Sequence, residues 1–152
     1  MGRYRKGFSL LLHHKNGSIL FTTFMNNDEM RDMLIDYMGR GFLDNIIDLC
    51  KQDFSVLRFL PDMLGVENIR VRLGATALVE ELVLQFRNEL RVAVPGLIKL
   101  LKHENPTIRG DAASVLGMIK DQTAADALHM SLQDDHPVVR EAALEALADM
   151  SR

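Results

Sequence analysis

Three arginines in this chain each stand five residues after an acid: Glu67 and Arg72, Glu104 and Arg109, Asp135 and Arg140. An arginine near a helix start can satisfy turn carbonyls and pair with a carboxylate, its planar fork of donors fixing the loop. A row of arginines could also hold an anionic ligand, but the structural role is the favoured reading. Metal chemistry asks for imidazoles or thiols at ligand spacing, such as His-x-x-x-His or Cys-x-x-Cys, and neither pattern occurs. His13 and His14 are adjacent, so on a strand they point to opposite faces. His103 and His136 fall at helix ends or turns and read as surface or capping residues. His129 aligns with Ile98, which predicts partial burial. Cys50 is the single cysteine, and its neighbours Ile46, Ile47 and Leu49 make it a packed thiol rather than a nucleophile. Gly39-Arg40-Gly41 lacks the rest of a phosphate-binding loop. The sequence therefore points to no catalytic, cofactor-binding or metal-ligating residue.

The arginines need elements to hold them, and those elements repeat. Residues 67–75, 104–112 and 135–143 all read acid, polar residue, Pro or Ile, any residue, β-branched aliphatic, Arg, two residues, Ala. The spacings are 37 and 31, a period that means stacked supersecondary units rather than one shared globular core. Apolar residues at spacings of three and four predict helices over about 28–38, 42–52, 55–64, 69–88, 93–103, 107–120, 124–133 and 137–150. Asn27 or Asp28 is the expected cap of the first, and Asp53 or Ser55 of the third. Pro95, Pro106 and Pro137 fall where a helix begins, so the missing N–H costs little. The second helix of each of the last three pairs should bury one shared face: Val71, Ala75 and Val79; Ile108, Ala112 and Leu116; Val139, Ala143 and Leu147. Residues 7–24 differ. Two apolar runs flank Asn16-Gly17, a dipeptide suited to a type I′ turn, so a β-hairpin is expected there. The domain reading is a basic segment over 1–24 and a repeat domain over 25–152. In the alternative, the chain starts at Met25 and the preceding segment is not native.

Bulk properties narrow the function. The chain has 152 residues, 47% hydrophobic and 26% charged, with a net charge of -3. Residues 1–24 hold Arg3, Arg5, Lys6 and Lys15 with no acid, which leaves -7 on the remainder. An acidic body argues against a phosphate-tracking groove and hence against nucleic acid. The apolar run at 8–12 is short, is interrupted by His13-His14-Lys15, and is followed by no small-residue cleavage site. No stretch reaches the roughly 20 apolar residues that span a bilayer. A cytoplasmic protein without a membrane partner is expected, and a lone cysteine fits a reducing compartment. Met25, Met30, Met33 and Met38 could form an adaptable docking face, though core packing explains them equally well.

From 93 to 150 the chain resembles HEAT repeats. The 31-residue period, the Pro-x-Val/Ile-Arg-x-x-Ala signature and the corner Ile119-Lys120-Asp121 are similar to the short HEAT-like repeats named after phycobilisome lyases. The likeness is fair over 67–82 and only positional over 28–52. It implies a right-handed curved solenoid whose second helices line the concave side. It also implies that Glu67, Arg72, Glu104, Arg109, Asp135 and Arg140 form a ladder along the stack. Such repeats are mostly scaffolds. Deoxyhypusine hydroxylases are an exception, holding two irons with His-Glu pairs directly after the repeat arginine; here Gly110-Asp111 and Glu141-Ala142 stand in those places. HEAT-like DNA glycosylases use a basic surface with aromatic residues, and this chain has an acidic body and no Trp.

The resulting expectation is an all-α, right-handed solenoid of about four antiparallel helix pairs, preceded by the hairpin. Its expected role is a non-catalytic scaffold or adaptor that binds a protein, basic or helical, on the concave face. Glu80, Gln85, Gly110, Ser114, Glu141 and Glu145 are the candidate contact residues. The alternative is an accessory subunit of an enzyme such as a bilin lyase. The last helix, if apolar on its far side, would also support self-association.

Overall fold

The computed structural model describes residues 25–152. The expected hairpin, and the basic segment as a whole, lie outside them. The described residues form only helices and their connections: α1 (Asn27–Gly39), α2 (Leu43–Gln52), α3 (Leu60–Leu64), α4 (Ile69–Leu90), α5 (Val94–Leu100), α6 (Pro106–Ile119), α7 (Ala125–Ser131) and α8 (Pro137–Met150).

Local chemistry sets the boundaries. The cap of α1 is Asn26, not Asn27 or Asp28: its side chain accepts from the Glu29 N–H at 2.9 Å, and Glu29 accepts in return from the Asn26 N–H at 3.1 Å. This reciprocal box satisfies two donors that a helix start leaves free. Gly41, at φ 86°, turns the chain after α1. Asn68 and Asn105 cap α4 and α6 by accepting from Arg70 N–H and Thr107 N–H. His136 takes the same place before α8 through Nδ1, which accepts from Val138 N–H at 3.3 Å.

Each first helix of pairs two to four is a short α-helix entered through a 310 turn: Phe54–Phe59 before α3, Arg91–Ala93 before α5 and Gln122–Ala124 before α7. The tighter i→i+3 bonding reverses the chain in few residues. The apolar period alone did not distinguish these turns from α-helix. The long α4 is kinked at Phe86 (φ -127°, ψ 36°), where its ring packs on Phe54 with centroids 5.0 Å apart.

The pairs stack. Helices α4, α6 and α8 lie side by side in that order, and α3, α5 and α7 pack behind them on their own partners. The shared face is buried as its spacing requires: Val71, Ala75, Val79, Ile108, Ala112, Leu116, Val139 and Ala143 are inaccessible or nearly so; Leu147 is half-buried. Helices α1 and α2 close the other end, α1 against α3 and α4, α2 against α4 and the first 310 turn. Met30 and Met38 are buried, and Met25 and Met33 pack on the same core, so these methionines are interior rather than a docking face. The architecture is an all-α stack of helical hairpins.

Candidate functional site

The three arginines organise the connections between the paired helices. Each donates through Nη1 to the carbonyls six and five residues back. Arg72 reaches Val66 O at 3.3 Å and Glu67 O at 2.7 Å. Arg109 reaches His103 O at 2.9 Å and Glu104 O at 3.1 Å. Arg140 reaches Asp134 O at 2.7 Å and Asp135 O at 3.1 Å. The acid five residues before each arginine thus offers it a backbone carbonyl rather than its own carboxylate.

The carboxylates come from the next layer. Arg72 Nε donates to Asp111 Oδ2 at 3.0 Å. Arg109 donates through Nε and Nη2 to both oxygens of Asp134, and through Nη2 to Asp135 Oδ1, all at 2.8 Å. Glu67 is tied forward as well, accepting from Asn105 Nδ2 at 2.8 Å. Asp134 also accepts from the His136 N–H at 2.9 Å. Donation from Arg109, followed by that backbone bond, holds the Asp134 carboxyl at about 2, because hydrogen bonds to the charged form favour it. In return the ion pair raises Arg109 further. Asp111 and Asp134 are ladder members that sequence spacing did not find.

Among the described residues, reactive side chains are few. Cys50 is fully buried, and desolvation pushes its thiol up to about 12, so at neutral pH it carries no thiolate to act as nucleophile. His103 Nδ1 accepts from Asn105 N–H, a local bond within the turn before α6. His129 is exposed rather than half-buried, its Nδ1 lying 2.8 Å from Ala125 O. Among the described residues no three His, Cys, Asp or Glu side chains converge as metal ligands. A shallow cleft of about 540 Å3 opens between α1, α3 and α5, near Arg31, Arg58, Asp62 and Lys99. Arg31 is held there by Asp28 and Asp32 and Arg58 by Asn27.

Helices α4, α6 and α8 also carry accessible side chains on their solvent side. Glu80, Gln85, Ser114, Glu141 and Glu145 are exposed on it. Gly110 is not; it is buried, and a Cβ there would lie 3.4 Å from Val138 Cγ1. The same helices expose Ile69 (59%), Leu73 (64%) and Val138 (50%), apolar residues absent from the sequence-derived candidates. Their signal was present, since Leu73 occupies the register position of Gly110 and Glu141 and falls off the shared apolar face. No helix among the described residues is long and apolar enough to cross a membrane.

Comparison with known proteins adds two findings. A family model described as HEAT repeats matches residues 57–148. A stretch of 58 residues is 43% identical to deoxyhypusine hydroxylase of Candida albicans (strain SC5314 / ATCC MYA-2876), covering 37% of this chain and 18% of that protein. The match thus spans under one fifth of the relative's length.

Proposed function

The chain belongs to the HEAT-repeat family, and from that premise we propose that it is a non-catalytic scaffold or adaptor for another protein. Repeats of this family generally mediate protein–protein contact. The observation that carries the proposal is the accessible face of the second helices, where Ile69, Leu73 and Val138 stand exposed beside Glu80, Glu141 and Glu145. Large apolar side chains left in water within an acidic frame mark an interaction surface. They suit a basic amphipathic helix, whose apolar stripe would meet Leu73 and whose cations would meet the glutamates. Binding is expected to be lost in Leu73→Glu and weakened by Glu80→Lys with Glu145→Lys. Affinity capture with the intact chain, followed by binding measurements on the captured protein, tests this. A partner held equally by all three proteins would refute the surface.

A second reading, an accessory part of an enzyme, draws on the likeness to deoxyhypusine hydroxylase. The residues do not fit a metal site of the His-Glu kind. Leu73-Gly74, Gly110-Asp111 and Glu141-Ala142 follow the three arginines, and none supplies an imidazole. Elemental analysis of the purified protein distinguishes the readings, because a stoichiometric metal would favour the enzyme. The bilin-lyase form of this reading predicts a bound pigment, visible by absorbance. The cytoplasm remains the proposed location.

A further inference from the structure

The cleft between α1, α3 and α5 differs in charge from the chain around it. Its volume of about 540 Å3 falls within the roughly 300–1,000 Å3 of ordinary ligand sites. Residues 25–152 sum to -7, yet the ionisable residues lining this cleft are Arg31, Arg58 and Lys99 against Asp62 alone. Ile35, Pro61, Val66 and Leu100 line it too and are half-buried, so the cleft is apolar as well as cationic. The contact between α3 and α5 is close: a Cβ on Gly96 would lie 2.5 Å from Pro61 Cγ. Such packing holds the cleft wall in place.

The cations are not equivalent. Arg31 is committed to Asp28 at 3.1 Å and Asp32 at 3.2 Å. Arg58 is positioned without being neutralised. Its Nη2 donates to the amide oxygen of Asn27 at 3.0 Å, and its guanidinium lies 4.8 Å from the Phe59 ring centroid. Among the described residues neither Arg58 nor Lys99 has a carboxylate partner. Burial raises the Asp62 carboxyl above its ordinary value, and Arg31 opposes that shift. We propose that this cleft binds an acidic peptide segment of a partner protein, with apolar side chains on Ile35, Pro61, Val66 and Leu100 and carboxylates on Arg58 and Lys99. The cleft is shallow, so an occupant is covered on one side only, as a peptide laid on a surface is. An anionic lipid surface suits it less, because the -7 body would be repelled along with it. The cleft includes none of Leu73, Glu80 and Glu141 and reads the opposite charge, so it stands apart from the partner surface proposed above.

Fluorescence anisotropy on the full chain tests it, with a short labelled peptide alternating glutamate and leucine as the probe. Binding is expected at a Kd of about 10 µM to 1 mM, since the charges are few and exposed. Peptides carrying lysine for glutamate, or serine for leucine, should bind at least about fivefold more weakly. Arg58→Glu and Lys99→Glu should each weaken the probe by at least about fivefold, and Asp62→Asn should tighten it about twofold by removing a like charge. Damage to the fold would not produce a tighter complex. Arg87→Glu, at an exposed cation on α4, and Leu73→Glu should leave the probe's affinity unchanged. No binding at about 1 mM, equal binding of the lysine or serine peptide, a weaker complex in Asp62→Asn, an equal loss in Arg87→Glu, or indifference to both Arg58→Glu and Lys99→Glu would each overturn the proposal. Binding to phosphatidylserine vesicles with none to the peptide would overturn it in favour of a lipid surface. Loss of partner capture in Leu73→Glu with probe binding intact would separate this cleft from the surface that carries Leu73.

Discussion

Arg72, Arg109 and Arg140 use Nη1 identically and differ in what the rest of the guanidinium finds. Among the described residues, Arg72 has one carboxylate, Arg109 has two and Arg140 has none. Hydrogen bonds to charged groups are worth roughly 1.5–3 kcal/mol each, more when a buried partner is left behind. Arg109→Ala should therefore cost roughly 2–4 kcal/mol, and Arg140→Ala roughly 1 kcal/mol, as measured by denaturant unfolding; equal costs would contradict the cross-layer pairing. Acid should reveal the same bond. Asp134 is held at about 2 in the folded chain against about 3.9 when unfolded. Its ionised form stabilises the fold above about pH 4, and that contribution disappears as pH falls from 4 towards 2. Asp134→Asn should flatten this part of the stability–pH curve. The arginines were legible in the sequence because their own loops fix them at constant spacing. Their carboxylates were not, because the partner is 39 residues away for Arg72 and 25 for Arg109. The acid also moves, from Asp111, two residues after Arg109, to the turn before α8, where Ala142 has taken the equivalent helical position.

At the level of helices, small residues set how closely layers approach. Gly117 meets the backbone of Ala146, whereas Gly74 meets the flexible side chain of Met38. Alanine is a better helix former than glycine by about 1 kcal/mol, so the two substitutions separate packing from propensity. Gly117→Ala should destabilise by roughly 1–3 kcal/mol, because a backbone must move. Gly74→Ala should cost less, since Met38 can change rotamer. Thermal melts of the two variants check the order; a more stable Gly117→Ala would contradict the close approach. The second helices were readable from their apolar period to within a residue or two. The first helices were not read in full, since a 310 turn and an α-helix bury nearly the same positions over one turn. The kink at Phe86 has no counterpart in the apolar period; it falls where the ring meets Phe54, far away in sequence. Gly110 was misjudged as accessible for a similar reason: only the following layer, through Val138, covers it.

The molecule as a whole is a series of nearest-neighbour contacts, with α8 resting on α6 and α7 and with α1 and α2 at the opposite end. Damage should therefore stay local. Leu128, fully buried on α7, should cost roughly 2–4 kcal/mol as Leu128→Ala. Hydrogen exchange should then quicken in α7 and α8 while α1 to α3 keep their protection; uniform loss of protection would show a single cooperative core instead. The family was legible from three copies of one motif. Function was not, because a repeat stack specifies its own interior through periodicity, whereas its solvent side carries no such constraint.

The cross-layer carboxylates also bear on synthesis. A ribosome releases α4 before α6, and α6 before α8, so Arg72 waits for Asp111 and Arg109 waits for Asp134. Each loop is completed only after the following hairpin clears the exit tunnel, so nascent chains should consolidate one layer behind the point of emergence. During that interval the arginine and the small-residue side of the newest helix are open to chaperones.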